Sequence, residues 1–191
     1  TSGGTLVTNM NGGSTTFAGV IDGANVNLVR VGGNTLALEA AQTYGGRDIR
    51  LGGTLALEND ATLLGTSSLT LNYAALSLNN NSSLQTQIND RIGDAIPILM
   101  NGGTIAVNGR LTTNATETMG ALTVAQGANV ITANTGGGTF TGMDLTFASL
   151  TRAAGTTINF TGTNLGNPGN NARIYFTSPL TTYATGVLGG W

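Results

Sequence analysis

The chain has 191 residues and a mass of 19.2 kDa, enough for one domain with a buried core and too short for two ordinary domains. Apolar residues make up 40% of it, but charged residues make up only 8% and aromatic residues 5%, and Gly accounts for 30 positions. The chain has no Cys or His, its seven basic residues are all Arg, and its net charge is −2, which excludes disulfides, thiol or imidazole catalysis, Cys or His metal sites and electrostatic binding of nucleic acid.

One phrase, a turn rich in Gly or Asn followed by a short alternating run, recurs along the chain. In each run Leu, Val, Ile or Phe mostly alternates with Thr, Ser, Asn or Ala. Period-two alternation predicts a short strand with one buried face and one wet face. In chain order, the runs lie at residues 3–7, 24–29, 33–39, 52–58, 68–72, 75–78, 102–107, 121–124, 137–141, 144–147 and 156–160.

These predicted strands are only four to six residues long and are separated by clusters of Gly and Asn, which tolerate positive φ and so allow sharp turns. A sandwich of hairpins and a solenoid of stacked parallel strands both fit this rhythm. Repetition of the same phrase favours the solenoid, with roughly 20 residues per coil. Nine or ten such coils predict a rod of about 45 Å, with Asn ladders at its turns.

The stretch from residue 83 to residue 92 has a different pattern. Its apolar residues Leu84, Ile88 and Ile92 follow i, i+4, i+8 spacing, and Gly93 comes directly after them. This spacing predicts a short helix that ends at the glycine, and the alternative is an irregular excursion between coils.

Several segments resemble the phrases of autotransporter-associated β-strand repeat proteins. They cover most of the chain from about residue 50 onward, at residues 79–105, 117–129, 145–160 and 186–191, and include Leu-Met-Asn-Gly-Gly-Thr-Ile at 99–105. The resemblance implies a right-handed parallel β-solenoid from a long secreted or surface-displayed bacterial protein. It also implies that residues 1–191 form a single solenoid domain within a longer chain or fibre.

Charged residues are the candidates for a catalytic or calcium site, because parallel β-helices include enzymes that cleave sugars with carboxylates. Nine carboxylates in the whole chain are too few to predict a ligand cage. We therefore interpret them as isolated surface charges or local ion pairs, and we assign no catalytic, cofactor-binding or metal residue and no cofactor. The three groups considered are Asp90 with Asp94 and Arg91, Glu58 with Asp60, and Arg47 with Asp48 and Arg50.

Two further patterns receive no function. Thr alternates within the strands, but no strict Thr-x-Thr array of the kind found on flat ice-binding or glycan-binding faces is visible, so we attribute it to strand propensity and solubility. Glycosylation triplets begin at Asn80, Asn81, Asn114 and Asn159, as expected by chance in a chain rich in Asn and Thr.

The ends of a solenoid expose unpaired strand edges, and the two ends of this chain carry almost no charge that would cap them. The sequence therefore predicts a non-enzymatic extracellular structural protein, a subunit or segment of a bacterial surface fibre that self-associates end to end. An adhesin that binds surfaces or glycans through a lateral face is the alternative, and a polysaccharide-cleaving enzyme ranks third. No membrane span is predicted, since the apolar stretch at 95–100 is far shorter than the roughly 20 residues required.

Overall fold

The computed structural model describes residues 3–81, 86–137 and 141–180, and in this part of the chain every strand pairing is parallel and there is no helix. The predicted all-β fold, a parallel β-solenoid with Gly- and Asn-rich turns, is confirmed. The described residues form the strands β1 Thr5–Asn9, β2 Thr15–Phe17, β3 Asp22–Gly23, β4 Asn27–Val31, β5 Thr35–Leu38, β6 Thr43–Tyr44, β7 Arg47–Leu51, β8 Thr54–Leu57, β9 Ser68–Asn72, β10 Ala75–Asn79, β11 Ile98–Asn101, β12 Thr104–Asn108, β13 Ala115–Gln126, β14 Ala128–Asn134, β15 Met143–Arg152, β16 Thr157–Gly162 and β17 Ala172–Phe176.

Each coil has three sides, which we name faces A, B and C. Face A contains β1, β4, β7, β9, β11 and the second halves of β13 and β15. Face B is the seven-stranded sheet of β2, β5, β8, β10, β12, β14 and β16. Face C contains β3, β6, the bridge between Leu63 and Ile92, the first halves of β13 and β15, and β17. Each pass of the chain through face B therefore marks one coil.

The coils differ in length and are fewer than expected. One takes 19 residues, from Thr35 to its partner Thr54, and another takes 29, from Met143 to Ala172. The prediction of nine or ten coils of roughly 20 residues is wrong for the described residues, which make seven coils in a stack of about 35 Å. Later coils are longer because β13 and β15 extend along both face C and face A.

The core is a set of vertical columns, because parallel register places equivalent residues above one another. Leu36, Leu55, Leu76, Ile105 and Ile131 form one such column on the inner side of face B, and all are buried. Aromatic rings contact one another in the last coils, where the rings of Phe147 and Phe176 stack with centroids 5.8 Å apart. Most of this thin core is filled by aliphatic side chains and Met, which explains the low aromatic content.

Asn ladders form at the corner between faces A and B and at the far end of face B, as predicted. The Asn101 side chain donates to the Asn72 side chain at 2.5 Å. The Asn134 side chain donates to the Asn108 side chain at 3.1 Å. Each ladder satisfies amide groups between successive coils without any ion.

The helix predicted over residues 83–92 is wrong where the structure describes it. Residues 83–85 lie outside the described part, and residues 86–92 have no helical turn. Ile92 instead forms a parallel bridge with Leu63, and the backbone N–H groups of Arg91 and Ile92 donate to the Glu117 carboxylate. The i, i+4 spacing therefore reflects an irregular excursion pinned by side chains. The predicted run at 137–141 also falls largely outside the described residues.

Gly120 allows β13 to pass from face C to face A. A Cβ atom there would lie 2.3 Å from the Ile96 carbonyl oxygen, whereas a Cβ at Gly33 would meet no atom within 4 Å. We expect Gly120→Ala to lower the free energy of unfolding by about 1–3 kcal/mol, because backbone must move to admit the methyl group. Gly33→Ala is the matched control and should change it by less than about 0.5 kcal/mol in urea unfolding. Equal effects of the two substitutions would contradict the corner role of Gly120.

Candidate functional site: buried charges and an open end

A charged cluster lies inside the third coil, where Asp48 and Arg50 point from β7 into the core. Both side chains are fully buried, and an Arg50 Nη2 hydrogen donates to Asp48 Oδ2 in an ion pair. The hydroxyl of Tyr44, also fully buried, donates to the same carboxylate oxygen. Burial raises the pKa of Asp48 and of Tyr44, and the positive charge of Arg50 opposes both shifts.

Arg30, one coil closer to the N-terminal end, stacks directly on Arg50 in the ladder of β4 and β7. Its Nη1 group donates to the carbonyl oxygens of Gly32 and Gly52, each at 2.6 Å, so it joins the turns of two successive coils. The guanidinium fits because Gly53 has no side chain: a Cβ there would lie 2.2 Å from Nη1. Burial, with a further contribution from Arg50, lowers the pKa of Arg30.

Arg91 organises the irregular excursion between β10 and β11. Its guanidinium is fully buried and donates to the backbone carbonyls of Ala61 at 2.8 Å and Asn59 at 3.0 Å. It also donates to the side-chain oxygen of buried Asn80, at 2.8 Å from Nη2 and 3.1 Å from Nε. One side chain therefore satisfies carbonyls in two coils where the strand ladder is interrupted.

The Glu117 side chain, in the next coil, accepts the backbone hydrogen bonds of this excursion that a strand would otherwise accept. Its carboxylate accepts the backbone N–H of Arg91 at 3.0 and 3.1 Å and that of Ile92 at 2.9 Å. The side chain is buried, and burial raises its pKa to about 8, although the two N–H donors and the charge of Arg91 oppose the shift. Asp90 contributes a smaller charge repulsion in the same direction as burial.

The sequence interpretation of these charged groups as surface charges or local ion pairs needs correction at three residues only, and Asp48 and Arg50 do form a local ion pair, although a buried one. Arg91, Asp48 and Arg50 are fully buried, because the register of their coils turns these side chains inward. The remaining members of the three groups are exposed or half-buried: Arg47, Glu58, Asp60, Asp90 and Asp94. Among the described residues no cluster of three or more Asp or Glu side chains is placed to hold a metal ion.

The Asn and Thr positions singled out in the sequence have structural contacts. Asn80 is buried against Arg91, and the Asn114 side chain accepts the N–H of Gly142 at 2.7 Å. Asn81 and Asn159 are exposed. The hydroxyls of Thr132 and Thr161 pair at 2.8 Å on the outer side of face B, but the same column contains Ala56 and Ala106. The described part of face B therefore presents a mixed column of small residues.

The N-terminal end of the stack is open. β1 and β2 are the terminal strands of their sheets, so each lacks a partner on one side in the described structure. Leu6 and Phe17 are in register with fully buried Leu28 and Leu38, yet they are 42% and 39% exposed. With Met10, Ile21, Leu36 and Leu38 they line an apolar cleft of about 330 Å³. The core columns therefore continue to the surface at this end.

Comparison with known proteins gave no match: no family model matches the chain, and no curated protein or solved structure is significantly similar to it. Within the described ranges, no helix has the length and apolar character needed to cross a lipid bilayer.

Titration of Glu117 should be visible in the stability of the protein. Its pKa in the fold, about 8, lies above its ordinary value of 4.5, so between these pH values the folded state holds the proton more tightly than the unfolded state. This residue therefore makes the free energy of unfolding fall by about 1.4 kcal/mol per pH unit as pH rises through this window. Glu117→Gln should remove that component.

Urea unfolding at pH 5, 6, 7 and 8 measures how the free energy of unfolding changes with pH in the wild type and in Glu117→Gln. Asp48, whose pKa is also raised, contributes equally to both proteins, so its effect cancels when the two slopes are subtracted. Glu58→Gln, which removes one formal charge from a half-buried position, is the matched control. If Glu117→Gln has the same pH slope as the wild type, the carboxylate does not titrate as described.

Proposed function

We propose that the protein is a non-enzymatic extracellular structural protein, a β-solenoid segment of a bacterial surface fibre that is extended by end-to-end strand stacking. The open N-terminal end carries the proposal. Its strand edges are unpaired in the described structure, and the core residues Leu6 and Phe17 are exposed there. An edge with these properties is a template for another strand, which natural proteins otherwise protect with charge, proline or a covering segment.

The buried polar groups are consistent with a purely structural role. The guanidiniums of Arg30 and Arg91 each donate to backbone carbonyls of more than one coil. Glu117 accepts backbone N–H groups, and Asp48 pairs with Arg50 and Tyr44. In each case the charged group joins neighbouring coils or sits inside the core, where a soluble substrate would not reach it. These contacts support a function in which a stiff stack of coils provides reach and durability.

One observation favours the alternative, an adhesin that binds glycans or surfaces through a lateral face. Tyr73 follows β9 at the corner between faces A and B and is 73% exposed. Leu51, which is 45% exposed, lies one coil away in register with Asn72. The Tyr73 ring lies against Gly102 of the next coil, and an exposed aromatic ring is a surface on which a sugar ring can stack.

The two functions depend on different surfaces, because fibre assembly uses the open end of the stack and an adhesin uses a lateral face. In sedimentation and electron microscopy of the full chain at increasing concentration, we expect linear end-to-end particles with an axial repeat of about 4.8 Å. Phe17→Asp, which puts a charge into the open end, should shift the population to single short rods. Tyr73→Asp makes the same change at a lateral aromatic residue that is more exposed than Phe17, and it should leave assembly unaltered. A wild-type chain that stays a 19.2 kDa monomer at all concentrations would contradict fibre assembly.

A further inference from the structure

Beneath the open end, one inward column of face A is polar, whereas the same column is apolar in the later coils. In the register of face A, Thr8 lies above Arg30 and Arg30 above Arg50, with all three on the inner side. In the later coils the same column continues with Leu71 and Met100. The polar part of the column therefore starts at the open end and stops after three coils.

The charges in this region do not balance. Two arginines, Arg30 and Arg50, are fully buried, and the carboxylate that pairs with Arg50 belongs to Asp48. Burial and Arg50 both lower the pKa of Arg30, as expected for a cation that has a like charge beside it. The contacts of Arg30 are with carbonyl dipoles, which do not neutralise it. The described interior near the open end thus has one excess positive charge.

Several polar atoms of this column also lack a hydrogen-bond partner. They are the hydroxyl of Thr8, Nε and Nη2 of Arg30, and Nε and Nη1 of Arg50, all of them buried. Buried donors without acceptors are costly, and a buried cation without a nearby anion is costlier still. An acceptor with negative charge placed above Thr8 would accept a hydrogen bond from the Thr8 hydroxyl and offset the excess positive charge.

From this charge imbalance we infer that the coil docking on the N-terminal end carries an acidic side chain, directed into the core above Thr8, and an apolar side chain above Leu6. The inference rests on the proposed function, because it specifies the chemistry of the strand that extends the stack. A parallel strand added to β1 places its inward side chains over Leu6 and Thr8, one strand spacing of about 4.8 Å away. A glutamate side chain in that position can accept a hydrogen bond from the Thr8 hydroxyl, and its charge opposes that of Arg30, which lies two strands away.

The inference also separates two possible sources of the docking coil. The sequence has no Asp or Glu after Asp144, and Asp144 itself is paired with Arg173 by two hydrogen bonds of 2.7 and 3.0 Å. An identical chain that docks through residues 145–180 therefore brings no side-chain carboxylate to Thr8. We expect stacking between identical copies to be weaker than docking of a coil of different sequence that supplies the acidic residue.

Synthetic strands test this directly. The segment Asn27–Leu38 contains β4 and β5, which pair with β1 and β2 in the structure. A peptide of this sequence, with Glu in place of Arg30, therefore offers strands that match the free edges of β1 and β2. The full chain, kept below its assembly concentration, is titrated with the labelled Glu peptide, the isosteric Gln peptide and the unchanged Arg peptide. Fluorescence anisotropy at low salt reports each dissociation constant.

We expect the Glu peptide to bind about tenfold more tightly than the Gln peptide, and the Arg peptide most weakly. In Arg30→Met, the ratio of the Gln-peptide to the Glu-peptide dissociation constant should fall toward one, while both peptides still bind through their apolar side chains. If this variant does not fold, the three dissociation constants of the wild type decide the question. Equal binding of the three peptides would overturn the acidic requirement and leave end stacking intact. Failure of all three peptides to bind would overturn both this inference and stacking at this end.

Discussion

Parallel in-register stacking is the constraint on which the rest of this structure depends. Because each strand is hydrogen-bonded to the equivalent strand of the next coil, every inward side chain lies above another inward side chain. An apolar column such as Leu38, Leu57 and Leu78 is stable in this arrangement, because each leucine is buried against the next. A polar residue in a column has to find its partners within its own and the adjacent coils, which is how Asp48 and Arg50 came to be paired. Among the described residues, β1 and β2 of the first coil are where this constraint is unmet.

The same constraint accounts for arginine at the buried positions Arg30 and Arg91. Arg91 directs its planar guanidinium at carbonyls of Asn59, Ala61 and Asn79, and Arg30 joins the turns at Gly32 and Gly52. A lysine ammonium is a compact, strongly hydrated point charge and cannot reach separated carbonyls in one plane. Where the coil is too irregular for backbone hydrogen bonds between strands, the Arg91 guanidinium and the Glu117 carboxylate bind the free backbone groups instead.

Much of the fold followed from the sequence, because period-two runs such as Thr54–Leu57 and Ser68–Asn72 are strands with the expected inner faces. Several strands were not predicted, among them β2, β14 and β17. The number of coils was wrong because the sequence pattern does not reveal how much chain face C takes. The repeat-family resemblance, the extracellular location and the absence of enzymatic activity stay predictions.

The buried charges were missed for a physical reason that β7 illustrates. Its alternation puts Ile49 and Leu51 on one side and Asp48 and Arg50 on the other, so hydrophobicity alone favours Ile49 and Leu51 as the inner pair. In the structure Asp48 is instead in register with the buried Leu28 and Leu69, and a slip of one residue would exchange the two sides of β7. The available signal was the alignment of Arg30 with Arg50 at equivalent positions of successive coils.

Amide hydrogen exchange of the dilute chain tests most directly whether each coil is stabilised by its neighbours and the N-terminal end is open. The account predicts slow exchange in the central strands β8, β10 and β12 and fast exchange in β1 and β2, with protection of β1 and β2 gained only when another coil docks. Exchange of β1 and β2 as slow as that of β8 in the isolated chain would contradict it.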